Sequence, residues 1–300
     1  MVSRCQGLPG VQSLVFTRPA EGEQIFFGPY DDTPGDDVYL PCKTKAHFAL
    51  PAYSGSFWGV SVYNSFGEWL ASPYSNPETG QTCQDCHMPH RGATTFVDLP
   101  PDVPQYVPVR DPATIFSHRM PGAADSTLLA NAASLALSGS REGATVRVSV
   151  QVTNTGAGHD LPTDNPLRNM ILLVEAHDSN GALLPLLDGP TIPEWGGVGD
   201  PALGYFAGLP GVLYAKILAD SYTGEMPTAA YWRPTRLISD NRIAALETDT
   251  STYIFDTTSA QGDITLSARL ILRRAFIDLM VQKGWDTPDQ PMVQETIVLP

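Results

Sequence analysis

The sequence predicts a mainly β protein, in which a loop-rich amino-terminal region with short helices (residues 1–140) precedes an antiparallel β-sandwich (residues 141–300). Three observations predict it. Proline occurs 27 times and glycine 26 times in 300 residues, which breaks the chain into short elements and argues against a helical bundle. From Ala144 onward apolar residues fall at every second position, the period of a strand with one buried face. A hydrophobic content of 42% against 17% charged residues gives a chain of this length enough apolar material for real cores.

Taken in order, residues 1–124 carry prolines from Pro9 to Pro108 and leave room only for short helices. One is predicted over residues 65–71, with Ser65 as its cap and Pro73 as its stop. Asp31-Asp32 and Asp36-Asp37 lack the alternating ligand order of a calcium loop and read as a solvated acidic turn. Residues 125–138, with Leu128, Leu129, Ala132, Ala133, Leu135 and Leu137, read as another short helix. Val146, Val148, Val150 and Val152 then alternate with polar residues as a strand. Residues 170–176 and 182–187 flank Asp178-Ser179-Asn180-Gly181, a hairpin signal. Residues 252–255 and 264–272 continue the pattern, the latter with Ile264, Leu266, Ala268, Leu270 and Leu272 on one face. A last helix is predicted over residues 274–283, with Gly284 as its C-terminal cap. Residues 189–240, including Trp195 and Trp232, read as a long insertion between strands, suited to cover a cofactor edge or a partner surface.

Charge excludes some functions. With 18 basic and 32 acidic residues the chain carries −14 at neutral pH, so binding nucleic acid by neutralising phosphates has no electrostatic basis. No stretch approaches the ~20 apolar residues of a membrane span, and the opening residues lack the basic start and apolar run of an export signal. No G-x-S-x-G, H-E-x-x-H, Walker or G-x-G-x-x-G pattern occurs, which leaves hydrolytic and nucleotide-dependent chemistry without a motif.

The strongest signal lies in the cysteines. Of Cys5, Cys42, Cys83 and Cys86, the last two read Cys83-Gln84-Asp85-Cys86-His87, the C-x-x-C-H signature of covalent c-type haem attachment. Two thiols add to the haem vinyl groups and the adjacent imidazole ligates the iron. Chance gives this pattern about 0.001 times in a chain of such composition. A redox C-x-x-C or half of a zinc site are the other readings, but neither the βαβ context nor a second ligand pair is present. Cys5 and Cys42 form a disulfide in an oxidising compartment or stay unpaired.

A six-coordinate haem needs a second axial ligand. Met88 and His90 are too close to His87 to reach the far face, and His177 precedes a turn as a solvated strand-end residue. The candidates are His47, His118 in Phe116-Ser117-His118-Arg119-Met120, and His159 in the glycine-hinged loop Gly156-Ala157-Gly158-His159, with Met120 behind them. A structural role for each imidazole is the competing reading.

Further motifs suggest a family. Residues 65–73, Thr82-Cys83-Gln84-Asp85-Cys86-His87-Met88-Pro89, His118 and Gly158-His159-Asp160-Leu161-Pro162-Thr163 resemble multihaem c-type cytochromes, the group related to hydroxylamine oxidoreductase and pentahaem nitrite reductase, in versions with a C-terminal β-sandwich. The resemblance covers roughly residues 25–300. It implies bis-His haem, electron transfer, and haem attachment outside the cytoplasm, hence a periplasmic or extracellular location and a chain that is an internal start or a fragment. The departure is that such proteins carry several C-x-x-C-H motifs and this chain has one. Where relatives have another, this sequence reads Phe48-Ala49-Leu50-Pro51-Ala52-Tyr53, either a lost motif at Ala49, Ala52 and Tyr53 or ordinary loop. In the relatives the histidine that follows the Cys-His-Met-Pro segment serves a different haem, which would make His118 an orphan; His159 and His118 therefore rank level, with His47 third.

The leading functional reading is electron transfer by one covalent haem c, as a carrier or as a subunit of a multihaem assembly, with redox proteins and other haem-bearing chains as partners. A non-catalytic role is favoured over an enzymatic one. A haem reductase or peroxidase with an open distal side would draw on Arg91, Arg119 and Tyr106. A cell-surface binding or structural module with a degenerate haem region would expose the aromatic residues of the 189–240 insertion.

Overall fold

The structure, a computed structural model, describes residues 4–8, 11–15, 62–97, 100, 108–230 and 234–300. The proposed lost motif at Ala49, Ala52 and Tyr53 lies outside them, as do His47, Cys42, Tyr106, Tyr231 and Trp232. Arg4–Leu8 (β1) and Val11–Val15 (β2) pair as an antiparallel hairpin.

The alternation beyond Ala144 becomes β4 (Thr145–Asn154), whose Val146, Val148, Val150 and Val152 are fully buried. It pairs antiparallel with β3 (Ala133–Glu142) and β10 (Thr248–Asp256), and β6 (Leu186–Asp188) completes a sheet of order β3-β4-β10-β6. A second antiparallel sheet has the order β12 (Gln290–Leu299), β11 (Ile264–Arg273), β5 (Asn169–His177), β7 (Gly211–Tyr214). The inner faces meet in one core. The four valines of β4 with Tyr253 and Phe255 pack against Met170, Leu172, Val174, Leu266, Ala268 and Leu270. Each such side chain, fully buried, stabilises by about 1.5–3 kcal/mol.

The outer face of the second sheet is covered too. Ile171 and Leu173 of β5 point away from the sandwich core into a second cluster with Ile192, Phe206, Leu213 and Phe276. The 189–240 insertion thus wraps the sheet with its first part, and goes on to supply β7, β8 (Lys216–Asp220) and β9 (Thr235–Asp240), the last two paired as a ribbon. The aromatic side chains expected to be exposed there are largely buried, Phe206 and Tyr214 fully and Trp195 and Tyr205 in part, while Tyr222 is exposed.

Four helices complete the described elements: α1 (Ser65–Leu70), α2 (Cys83–His87), α3 (Ser126–Ala132) and α4 (Ile277–Lys283). Gly284 caps α4 at φ 64°, as its position predicts. Three expectations need correction, and one strand was not expected. The helix predicted over residues 125–138 ends at Ala132, because Ala133, Leu135 and Leu137 keep a two-residue spacing and become β3. The turn at Asp178-Ser179-Asn180-Gly181 forms, with Asp178 Oδ1 accepting from the backbone of Asn180 and Ala182, but its second arm crosses to the other sheet and β6 pairs with β10. Ser65 does not cap α1; the cap position is Asn64, and the Ser65 hydroxyl bonds Thr163 instead. The final strand β12 escapes a pattern search because it is an edge strand with mostly exposed residues. Among the described residues no helix is long and apolar enough to cross a membrane.

Candidate haem site

α2 is short and tightly specified. The Thr82 side chain accepts from the Asp85 backbone while the Asp85 carboxylate accepts from the Thr82 backbone at 2.7 Å, a reciprocal cap that fixes the first turn. Cys83 and Cys86 are free thiols, the first exposed and the second half-buried. His87 ends the helix, and its Nδ1 donates to the carbonyl of Pro121 at 2.6 Å.

His159 arrives from the sandwich. The loop after β4 is tied down by Asn154, a fully buried residue whose Nδ2 donates to His159 O at 2.8 Å and Ile243 O at 3.0 Å, and whose Oδ1 accepts from Ala157 N at 3.1 Å. Leu161 and Ile243 exchange backbone bonds of 2.9 and 3.0 Å. Gly158 is required by a close approach, since a Cβ there would stand 2.9 Å from the Tyr74 ring. His159 Nδ1 donates to Asp160 O at 2.9 Å.

The two imidazoles face each other with ring centroids 6.3 Å apart and planes within 15°. A carbonyl only accepts, so each Nδ1 carries a proton and Nε2 is the nitrogen left to ligate a metal. Two metal–imidazole bonds of about 2 Å each, with the radius of each ring added, span about 6 Å. The residues present fit an iron held between His87 and His159. Among the described residues no three His, Cys, Asp or Glu side chains converge as a metal cage. Two imidazoles are one of the ligand sets that hold a porphyrin-bound iron.

Between the rings and around them lies a cavity of about 460 Å³, within the range of small-molecule sites. Both thiols line it. Trp69, Leu129 and Ala132 form part of its apolar wall, and Leu272 and Met292 from the second sheet form another part. Burial pushes the His159 pKa down and outweighs the Asp160 backbone hydrogen bond and the Glu68 charge, which raise it, while His87 and Arg168 add to the lowering. Burial raises the Cys86 thiol, and the neighbouring Asp85 and Cys83 add to it.

Behind His159 the helical segment is clamped to the sandwich. Arg242, 9% exposed, pairs with Glu68 of α1 at 2.6 Å, with Asp160 at 3.0 Å and with both oxygens of Asp240 at 2.8 Å. Burial pulls the Arg242 pKa down, but the Asp240 and Glu68 carboxylates outweigh it and hold the guanidinium firmly charged. Burial lowers the Lys216 ammonium beside them. Thr163 donates to Glu68, Ser65 bonds Thr163 at 2.9 Å, and Ser72 donates to Gly158 O at 2.9 Å. The two motifs set 95 residues apart in sequence, residues 65–73 and 158–163, interlock here.

The other candidates lie elsewhere. His118 is exposed and does not line the cavity; its strand-like segment pairs with residues 89–91, where the His90 ring packs on Phe116 at 4.5 Å. Met120 lines the cavity but is 58% exposed. Arg91 and Arg119 are exposed and outside the lining, and His47 is outside the described residues. Sequence reasoning missed Asn154, Arg168 and Arg242. Only Asn154 carried a signal, as a polar residue at the buried register of an alternating strand.

No family model matches the sequence, and no curated protein matches it. Among solved structures, a PapD-like domain of human CEP192 (6% identity, TM-score 0.20, 57% of this chain and 84% of that one) and a family 123 glycoside hydrolase from Clostridium perfringens (8%, 0.23, 56% and 27%) are too distant to carry an argument. A penta-heme cytochrome c552 from Thermochromatium tepidum is similar over 88% of this chain with a TM-score of 0.54 at 17% identity. This chain spans 55% of that cytochrome's length, and the likeness is one of fold.

Proposed function

We propose that the chain holds one haem c, attached at Cys83 and Cys86 with His87 and His159 as axial ligands, and passes electrons as a carrier or as a subunit of a multihaem assembly. The observation that supports this most is the pair of near-parallel imidazoles, each with Nδ1 committed to a carbonyl, facing one another across an apolar cavity that carries both thiols. A haem iron held by His87 and His159 would supply one-electron redox chemistry. The carbonyls of Pro121 and Asp160 fix each ring's tautomer and raise its basicity. Trp69, Leu129, Leu272 and Met292 keep water from the site. The thiol side is open to solvent at Cys83, which gives a redox partner access to that edge. A net charge of −14 favours a partner with a basic surface. Thioether attachment implies maturation outside the cytoplasm and a periplasmic or extracellular location.

The test is a pyridine haemochrome assay and optical spectrum of protein matured in a c-type system. One covalent haem per chain with a low-spin reduced spectrum is expected. His159→Ala is expected to turn it high-spin and His118→Ala to leave it low-spin. Absence of covalent haem, or a low-spin His159→Ala, overturns the assignment.

A further inference from the structure

Nearly every polar group around the cavity is already committed. Thr163 donates to Glu68, so the contact between Ser65 and Thr163 is a donation from Ser65. The Thr82 hydroxyl donates to Asp85, the Tyr74 hydroxyl to Thr155 O and the Trp69 indole to Gln81 O. Arg168 differs from them. Among the lining residues it alone carries a permanent positive charge. Its guanidinium presents five donors, yet among the described residues it makes only a 3.4 Å bond to Thr163 O and a 3.3 Å pair with Asp164. The Asp164 side chain is 47% exposed, so that pair is held weakly.

The backbone positions this cation firmly. Arg168 N donates to Asn165 O at 2.9 Å, and the next residue, Asn169, is fully buried at the start of β5. The side chain is two-thirds buried, so an anion meeting it is partly shielded from water.

Resting on the haem reading above, we infer that Arg168 receives a propionate carboxylate of the porphyrin at the polar end of the cavity. Haem carries its two carboxylates on the edge opposite the vinyl groups, and the vinyl edge belongs to Cys83 and Cys86. A carboxylate at an apolar cavity needs a cation with donors to spare, and the planar guanidinium matches it in two parallel bonds.

The experiment measures haem stoichiometry, midpoint potential by spectroelectrochemistry and the propionate bending band by resonance Raman in wild type, Arg168→Gln, Arg168→Lys and Asp164→Asn. Arg168→Gln is expected to lower the potential, because the lost charge favoured the electron-rich ferrous state, and to shift the propionate band. Arg168→Lys should recover the potential but not the band, since the charge returns without the fork. Asp164→Asn, on an exposed side chain, should raise the potential, and it serves if Arg168→Gln fails to mature. Wild type without haem sinks the haem reading itself. Wild type with haem, and an unchanged band in Arg168→Gln or an unchanged potential in Asp164→Asn, overturns the role of Arg168 alone.

Discussion

Within the sandwich, β4 alone contributes four valines with no exposed surface, and the facing sheet answers with Met170, Leu172 and Val174 in the same state. Between residues 62 and 125 the described buried apolar side chains are Val62, Trp69 and Ile115. That segment is organised instead by caps, turns and side-chain bonds to the sandwich, around a cavity of about 460 Å³. One region fills its interior with its own side chains, and the other leaves space for an occupant. Hydrogen bonds contribute only about 0.5–1.5 kcal/mol net each, so a region built from them depends on what fills the space. An occupant would serve as the interior of that segment and would meet the sandwich at Leu272 and Met292, away from the four valines of β4, which do not line the cavity.

The largest expected effect breaks the two regions apart. In a Cys83→Ala/Cys86→Ala protein, which under the proposed function carries no haem, hydrogen exchange is expected to lose protection across residues 62–97 and 108–125, while β4 and β5 keep theirs. Equal loss in both would show that the sandwich also leans on the occupant. The converse change is Phe255→Ala, which empties part of the fully buried sandwich core. It should cost about 3–5 kcal/mol in a guanidinium titration. Below the unfolding transition the low-spin spectrum expected of the proposed haem should not move.

The contrast also explains what could be read from sequence. β4 was legible because it has one buried and one open face, which forces a two-residue period, and β11 was legible because its inner face keeps that period from Ile264 to Leu272. β5 was legible as a strand, and its unbroken run from Met170 to Val174 held a second message, that both faces are covered, which the insertion around Ile192 and Phe206 fulfils. β6 and β12 were not, because pairing partner and edge position are tertiary facts. In the site, Cys83, Cys86 and His87 are adjacent in sequence and their chemistry sets their spacing. His159 and His118 both sit in loops with nothing local to separate them. The difference between them comes from Asn154, Gly158 and Ile243, which aim one loop at His87. The ion-pair clamp at Arg242 was invisible for the same reason, since its partners lie at Glu68, Asp160 and Asp240.

That clamp joins the two regions, and cutting it sharpens the comparison. Arg242→Gln leaves Glu68 and Asp160 facing each other without their shared cation. Breaking a buried pair costs about 3–5 kcal/mol, and the low end, about 3 kcal/mol, is expected because Asp160 and Asp240 keep partial access to water. Protection should fall first at residues 65–70, with β4 unaffected until global unfolding. Loss spread evenly over both regions would make the clamp part of the sandwich core.

The smallest effect is one of pH, and it reports on the same joint. Burial draws the Asp240 pKa upward, but the hydrogen bonds and charge of Arg242 outweigh it and hold the carboxyl below its ordinary 3.8. The folded protein therefore binds this proton less readily than the unfolded chain. Its contribution to stability is full above pH 3.8 and is lost as pH falls from there through the lower folded value. Asp240→Asn removes the proton-binding site from both states. Between pH 5 and pH 3 the wild type is expected to lose more stability than Asp240→Asn in chemical denaturation, and the difference should shrink in the Arg242→Gln background, which keeps only the backbone N–H of residue 242 and the Lys216 charge. A difference undiminished without the guanidinium would mean that the backbone and Lys216, and not the clamp, keep Asp240 ionised. The acid response of the joint would then come from Glu68 and Asp160, the other two carboxylates on Arg242.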